Sequence, residues 1–525
     1  MAMRYRHLLT LFAVLLTLCT AHAAFADGDL HKVKHIIIVM QENHSFDNYF
    51  GALAYAPGSP YHNDDDGCRK GDHKCVDGLT CRVDNAGNFT CSNSNVDDDG
   101  STVFAFHDSR RCVIPDLDHG WGGTHSEVNF ANPNNTLFQS LSDGFVRVND
   151  KSEQPDNGVE NATEDQTMAF YNQNEIPFYY DLAQKFALSD RYFQSVLGPT
   201  FPNRSYLMAA TSFGHLTTAE IFPPPGGYKP ITGTIFDLLD AHGITWGDYF
   251  SDAPQGGSFR QFSIPPKAGD DPHFLPVTAF LAQANAGTLP EVSFVDPNFG
   301  LFGVKFENDE HPPVDIQRGQ AFVSTVLNAV RNGPNWKDSI VFITYDEHGG
   351  FYDHAKPPRA RQGHALEPDG IAPGQCADLS NPLLGSTQPG GGANCIVSKS
   401  DALELCPEFT PTGPYPAACA NFDQLGVRVP FLAISPFSKP KYVSHTVGDH
   451  TSLLALIEKR FLSSTNKKSQ GDDQNDEDDD GQIPHLTKRD QHANTLEDLF
   501  DFDRSPSLQT TIGAAQSPAV DCTPK

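Results

Sequence analysis

Apolar residues in this chain come in short blocks whose period keeps changing. His35-Ile36-Ile37-Ile38-Val39-Met40 is a β-branched run without helical spacing, and it predicts a buried strand. Residues 176–187 switch to an amphipathic helical period. The turn Gly198-Pro199-Thr200-Phe201-Pro202-Asn203-Arg204 then opens a second helix over 201–211. Further along, the pattern predicts helices over 235–241, 319–332 and 450–461, and strands over 244–249, 292–295, 339–345 and 429–435. Strands alternating with helices predict an α/β architecture with a mostly parallel sheet covered on both faces. In such sheets ligands bind beyond the carboxyl ends of the strands, so the polar residues just after each strand are the first candidates for chemistry.

Three stretches break this alternation. Residues 60–112 are rich in Gly, Asp, Asn and Cys with little periodicity, and residues 359–422 are loop-like with four Cys. Both read as disulfide-tied insertions, and residues 466–483 read as an acidic loop. The N-terminus has a pattern of its own. Arg4 and Arg6 precede an apolar run from Leu8 to Leu18, and Ala21-His22-Ala23 and Ala24-Phe25-Ala26 offer small residues for cleavage. The run is too short to span a bilayer, and Leu18 is too bulky for a lipoprotein signal at Cys19. Residues 1–26 therefore read as a signal peptide and 27–525 as one domain with insertions. The expected destination is secreted or periplasmic, with no transmembrane segment.

Cysteine usage agrees with export. Of the 11 Cys, loss of Cys19 with the signal leaves an even number, and no C-x-x-C pair suggests zinc. Five of them (Cys68, Cys75, Cys81, Cys91 and Cys112) cluster early, so at least one bridge should leave that cluster. Hydrophobic residues make up 38% of the chain, enough for a sizeable core. The formal net charge of −29 argues against nucleic acid as partner and against docking on anionic lipid by charge alone.

Two predicted strand ends carry carboxylates. Glu42 and Asn43 follow the first strand, and Asp346, Glu347 and His348 follow the strand over 339–345. Acidic oxygens clustered at strand ends suit a hard or borderline divalent cation, although an isolated acidic pair is more often just solvated. Gly349 and Gly350 come next and would let backbone approach a ligand, with Asp353 and His354 within reach of the same edge. Thr200 stands at the mouth of a helix. A hydroxyl there is ordinarily an N-cap, but it also suits a nucleophile attacking an anion held by the helix N-terminus. Arg204, one turn on, suits a phosphate or a carboxylate.

These segments together resemble the bacterial phospholipase C and acid phosphatase family of phosphoesterases, relatives of alkaline phosphatase. The likeness runs through HIIIVMQENHSFDNYFG, DLDHGWGGTHSEVNF, LGPTFPNRSYLMAATS, FITYDEHGGFYDHAKPP and DHTSLLALIEKRF, in family order over roughly residues 33–463. It implies an alkaline-phosphatase-like three-layer α/β/α sandwich. By that likeness Glu42, Asn43, Asp346 and Glu347 hold a divalent metal ion of unspecified identity, and Thr200 is both nucleophile and metal contact. His125, His311 and His354 are implied around the phosphate or leaving oxygen, with His354 or His311 as the acid for the departing alkoxide. Arg204, His119 and His450 are implied as substrate-binding, the two histidines as weaker candidates. His348 stands where the family more often has Asn.

The expected activity is that of a secreted, metal-dependent phosphoesterase of phospholipase C type working through a phosphothreonine intermediate, on a phosphate ester such as a phospholipid. The alternatives are an acid phosphatase acting on soluble monoesters and, less favoured, a non-catalytic secreted calcium-binding protein. Asn63–Gly67, Asn95–Gly100 and Asp476–Gly481 each end in Asp-Asp-Asp-Gly, and the last two match the first half of a calcium loop. None has Glu at the twelfth position, so each reads as a solvated acidic loop, with additional calcium as the alternative. All three loops, together with Asp472 and Asp473, supply much of the acidic excess.

Overall fold

The first strand of the pattern, β1 (His35–Gln41), lies inside an eight-stranded sheet. The computed structural model describes residues 29–64, 67–112, 116–150, 164–218, 226–263, 267–360, 367–380, 395, 403, 406, 419–463 and 483–518. The segment read as a signal peptide, Cys522, most of 359–422, Asp65, Asp66 and the acidic loop after residue 463 lie outside the described residues. The other sheet strands are β2 (Ala187–Ser189), β3 (Trp246–Phe250), β4 (Phe274–Pro276), β5 (Val292–Asp296), β6 (Ser339–Tyr345), β7 (Phe431–Ile434) and β8 (Tyr442–Ser444). Their order is β4-β3-β5-β1-β6-β7-β2-β8. Only β7 runs against its neighbours. The mixed α/β fold with a mostly parallel sheet is therefore as expected.

β6 is buried along its whole length and β1 from its second residue on, as strands covered on both faces must be. The covering helices fall into two groups. One comprises α3 (Pro177–Lys185), α6 (Val277–Ala286) and α7 (Ile316–Asn332). The other comprises α4 (Thr200–Ala209), α5 (Ile235–His242) and α8 (His450–Phe461). The small helices α1 (Phe46–Phe50) and α2 (Trp121–Val128) lie near the carboxyl edge. β2, β4 and β8 have three residues each, too few for a period to register, and α1 and α2 are likewise too short.

The parallel register has a direct consequence. Gln41 lies opposite Tyr345, so Glu42 and Asp346 leave adjacent strands side by side, and the Asp346 N–H donates to the Gln41 carbonyl at 3.1 Å. β3 and β5 end at the same edge, which adds Asp252 and Asp296.

The insertion after residue 60 holds two hairpins of three-residue strands, 81–91 and 94–104; Cys81–Cys91 staples the first, and Cys68–Cys75 closes the loop before it. Cys112 is also disulfide-bonded, and since the other four early cysteines pair among themselves, its bridge leaves the cluster. Cys376–Cys395 and Cys406–Cys419 link described residues of the second insertion. The calcium reading of Asn95–Gly100 does not survive. Asn95 is buried, its side chain accepts from the Phe145 N–H at 2.9 Å and donates to the Ser142 carbonyl at 2.9 Å, and 97–100 is a hairpin turn. No described helix is long and apolar enough to cross a membrane.

Candidate active site

The centre of the carboxyl edge is a buried ion triad. The Arg204 guanidinium, carried by α4, donates to Glu42 Oε1 at 2.9 Å and to Asp346 Oδ2 at 2.9 Å, and its third bond reaches the Gln41 carbonyl at 3.3 Å. All three side chains are buried. Burial, Glu42 and Glu347 push the Asp346 carboxyl up to about 7 although Arg204 restrains it. Arg204, expected to bind phosphate or a carboxylate, spends Nε and Nη2 on carboxylates, while its buried Nη1 has no bond among the described residues.

Glu347 accepts from the Gly349 N–H at 2.7 Å and lies 3.5 Å from His348 Nδ1. His348 is fully buried and bonds Glu127 at 2.7 Å through Nε2 and Gln194 at 3.1 Å through Nδ1. Burial opposes its charge, but the Glu127 and Glu347 carboxylates push it up to about 9, so it is an imidazolium with two donors. Gln194 in turn donates to the Val196 carbonyl at 2.8 Å and the Gly198 carbonyl at 3.3 Å. One chain of bonds therefore joins Glu347 to the loop that carries Thr200. His348 is more than a tolerated departure from the family pattern; it holds the carboxylate.

The glycines work differently from the expectation. Gly349 (φ +64°) packs on Asn43, where an added Cβ would lie 2.3 Å from the Asn43 carbonyl oxygen, and at Gly350 it would lie 2.5 Å from Leu117 Cβ. The close approach is to protein backbone. Asn43 itself sits at φ +64°, and both polar atoms of its buried side chain lack partners, as does Glu347 Oε1. Unpartnered buried oxygens facing excess carboxylate fit an oxygen-liganded divalent cation, with Arg204 already holding Glu42 and Asp346.

Thr200 is the first residue of α4 and half-buried; Pro199 occupies the cap position and bonds nothing with its side chain. Thr200 is therefore no N-cap. The Phe201 N–H is taken by Thr218 Oγ1 at 3.2 Å, and Pro202 has no N–H. Among the described residues nothing bonds the Thr200 hydroxyl or N–H, which leaves one backbone donor at this helix end instead of the usual three or four. Asn203 fixes the loop through bonds to Val196, Gly198 and Pro199.

His119 and His311 come together with Asp116, their rings 6.1 Å apart. Each donates Nδ1–H to a carbonyl, Leu117 at 2.7 Å and Pro312 at 2.6 Å, and His311 Nε2 lies 3.8 Å from Asp116 Oδ1. Burial opposes their charge, yet Glu347 and Asp116 push His119 up to about 10, and Asp116 and Glu42 raise His311. His119 is thus better placed than its weak sequence signal suggested. His125 donates Nδ1–H to the Trp121 carbonyl at 2.7 Å, and burial pushes it down to about 4. It lines a cavity of about 270 Å³ beside Val196 and Leu197.

Two histidines have other work. His450 donates Nε2–H to the Asp346 carbonyl at 2.8 Å and accepts from the Tyr192 hydroxyl at 3.2 Å, so it positions Asp346. Burial pushes it down to about 4, which keeps it neutral. His354 spends both nitrogens on Asp47 (2.6 Å) and Asp77 (3.3 Å), in a cluster closed by Arg428, Asp353 and Arg191. That cluster clamps the Cys-rich insertion to the core.

Sequence reading missed Asp116, Asp296, Glu307 and Asp309. Burial raises Asp309 well above the carboxylate range and pushes Glu307 up to about 8, with Glu42 adding to both. Asp296 had a signal, since it directly follows the predicted strand over 292–295; the others stand in loops. The loop 297–306 after β5 was also missed. Its Phe299 ring lies 4.9 Å from the Arg204 guanidinium, while Leu301, Phe302 and Phe306 are exposed.

The profile of the Phosphoesterase family matches residues 33–462. The chain belongs to that family. This phosphoesterase is 28% identical to non-specific phospholipase C1 of Arabidopsis thaliana, over 90% of its own length and 72% of the relative's. It is also 28% identical to phospholipase C B of Mycobacterium tuberculosis, over 83% of its length and 74% of the relative's. It is a hydrolase of phosphoric esters. Among solved structures, murine ectonucleotide pyrophosphatase/phosphodiesterase 5 aligns with 54% of this chain and 88% of its own at 12% identity, with a TM-score of 0.25. A phosphonate monoester hydrolase from Silicibacter pomeroyi aligns with 55% and 68% at 11% identity, with a TM-score of 0.20. Overlaps that loose add nothing to the assignment.

Proposed function

We propose that this phosphoesterase is an exported phospholipase C-type enzyme that cleaves zwitterionic phospholipids through a phosphothreonine intermediate. The observation that carries the lipid half is the loop 297–306. It leaves the carboxyl end of β5, packs Phe299 against Arg204 and exposes Leu301, Phe302 and Phe306 beside the site. Large apolar side chains exposed together next to a catalytic centre suit a lipid surface. The net charge of −29 sets the kind of surface, since it disfavours anionic lipid and leaves zwitterionic lipid open.

The chemistry assigned to the chain is as follows. Thr200 Oγ1 releases its proton to solvent and attacks phosphorus, the bond from phosphorus to the diacylglycerol oxygen breaks, and that oxygen takes a proton from His311 Nε2, which regains one from the water that later cleaves the phosphothreonine. His119, beside His311, offsets phosphoryl charge. Water then cleaves the phosphothreonine and releases the phosphorylated head group. A divalent cation held by Asn43, Glu347, Asp346 and Glu42 with the Thr200 hydroxyl would lower the hydroxyl pKa and offset phosphate charge. His354 leaves the set of acids, because both its nitrogens are occupied.

The test compares p-nitrophenylphosphorylcholine, p-nitrophenyl phosphate and phosphatidylcholine vesicles. Hydrolysis of the diester and the vesicles, lost by about 10³-fold or more in Thr200→Ala, is expected. Preference for the monoester would favour the acid phosphatase reading. A Leu301→Ser, Phe302→Ser, Phe306→Ser variant should lose vesicle hydrolysis at least tenfold and keep the soluble diester. Equal losses on both substrates would sink the loop's role.

A further inference from the structure

A second group of metal-ligating side chains lies away from the sheet edge. Glu458 sits on α8, two turns beyond His450, about 12 Å along the helix. Its side chain is fully buried, and Oε2 lies 2.6 Å from His485 Nδ1. Asp490, on the short helix Lys488–Gln491, is also fully buried. One ligand atom from each of Glu458, His485 and Asp490 lies within 4.8 Å of the other two.

Two features separate this group from an ordinary acidic cluster. Glu458 Oε1 is buried and has no hydrogen-bond partner. And two carboxylates out of water, Glu458 and Asp490, lie close to one another beside the His485 imidazole. Among the described residues, the cations next in sequence to Glu458 and Asp490 are engaged elsewhere, Arg489 with Asp449 at 3.0 Å and Lys459 with Glu497 at 2.6 Å. A buried carboxylate pair is neutralised by a shared proton or by a bound cation. Asp490 is already oriented for the second: Oδ1 accepts from the Thr487 N–H at 2.8 Å and the Thr487 hydroxyl at 2.9 Å, and among the described residues Oδ2 accepts only the Leu486 N–H at 2.8 Å, which fixes the carboxylate and leaves Oδ2 a lone pair toward the group.

We propose that Glu458, His485 and Asp490 bind a borderline divalent cation, Zn²⁺ or Mn²⁺, at a site distinct from the carboxylates of the sheet edge. Two carboxylate oxygens and one imidazole nitrogen suit those ions better than calcium, which takes six or more oxygens. The ion would act as a staple. The turn it holds carries Thr487, which bonds the Ala210 carbonyl at 3.4 Å, and Arg489, which reaches the Ser195 carbonyl and stacks 4.4 Å over Tyr206 of α4. Ser195 begins the loop that leads to Thr200, so the staple braces α4 and the loop that carries the proposed nucleophile.

The test counts bound metal on the full chain and does not rest on activity. Chelator-stripped wild type, His485→Ala and Glu458→Gln are each loaded with Zn²⁺ or with Mn²⁺, gel-filtered and analysed for metal. Each variant should hold one equivalent less than wild type, whatever the sheet edge binds. Metal at a hundredfold excess over Kd should raise the wild-type Tm by about 2–3 °C more than that of either variant. Metal-free Glu458→Gln should melt no lower than metal-free wild type, since it removes a buried carboxylate while keeping the shape. Equal metal content in all three proteins, or an equal Tm rise in His485→Ala, would overturn the proposal in favour of a shared proton.

Discussion

Replacing Arg204 by Met asks whether the triad at the sheet edge is held together by charge. Methionine keeps much of the apolar stem and removes two bonds of 2.9 Å to fully desolvated carboxylates. Removing one partner of a buried ion pair typically costs about 3–5 kcal/mol, because the remaining charge is stranded. The pH dependence gives the sharper signature. Asp346 is raised from 3.8 to about 7 by burial despite Arg204, so ionising it already costs stability as pH rises through that range. Without Arg204 its carboxyl rises further, and the cost grows at pH 8 while fading at pH 5, where Asp346 keeps its proton. One pKa unit is about 1.4 kcal/mol and pH 8 lies one unit above 7, so the Asp346 contribution should make the loss at pH 8 exceed that at pH 5 by up to about this much. Urea unfolding followed by tryptophan fluorescence at both pH values reads the difference. A loss below about 1 kcal/mol at pH 8, or one independent of pH, would refute the reasoning that Arg204 is the internal counter-ion.

Two further perturbations separate scaffold from chemistry. Gly349→Ala forces a Cβ to 2.3 Å from the Asn43 carbonyl at φ +64°, so it should cost more than about 3 kcal/mol of stability by thermal melting and displace Glu347; a Tm within 1 °C of wild type would contradict the packing. His354→Gln should destabilise by roughly 3 kcal/mol at pH 6. Burial opposes the His354 charge, but Asp47 and Asp77 raise it from 6.5 to about 10, so its stabilisation is complete below 6.5 and lost as pH climbs through 10. The gap between wild type and His354→Gln should close toward pH 10.5, with kcat of the folded variant little changed. A displaced limb in the pH–rate profile would return His354 to the chemistry.

The parts of this molecule that sequence made legible are those where one residue type has one structural use. A β-branched run such as 35–40 has few alternatives to a buried strand, and the residues just beyond a parallel strand have one edge to occupy. That is why Glu42, Asn43, Asp346 and Glu347 fall together. The histidines were less legible because an imidazole serves equally as acid, ligand or tether. His450 and His354 look no different in sequence from His119 and His311; only their bonded partners separate positioning from availability. Arg204 was ambiguous for the same reason, since phosphate and carboxylate present it with the same oxygens. Asp116, Glu307 and Asp309 were out of reach because they stand in loops, where periodicity carries no information about neighbours.

The placement of Arg204 changes how a chain of net charge −29 can hold a phosphate. The edge gathers Glu42, Asp296, Asp309, Asp346 and Glu347, and its one guanidinium bonds two of them. Phosphate would meet repulsion there unless other cations face it. The helix end supplies little, because Thr218 and Pro202 remove two of the donors at the start of α4. Among the described residues, what remains beside the buried Arg204 Nη1 is the pair His119 and His311, whose charged forms are favoured by Asp116 and by the edge carboxylates themselves. The acids that repel substrate therefore also keep its proposed receptors protonated. The unpartnered oxygens of Asn43 and Glu347 mark where a bound cation would supply the rest.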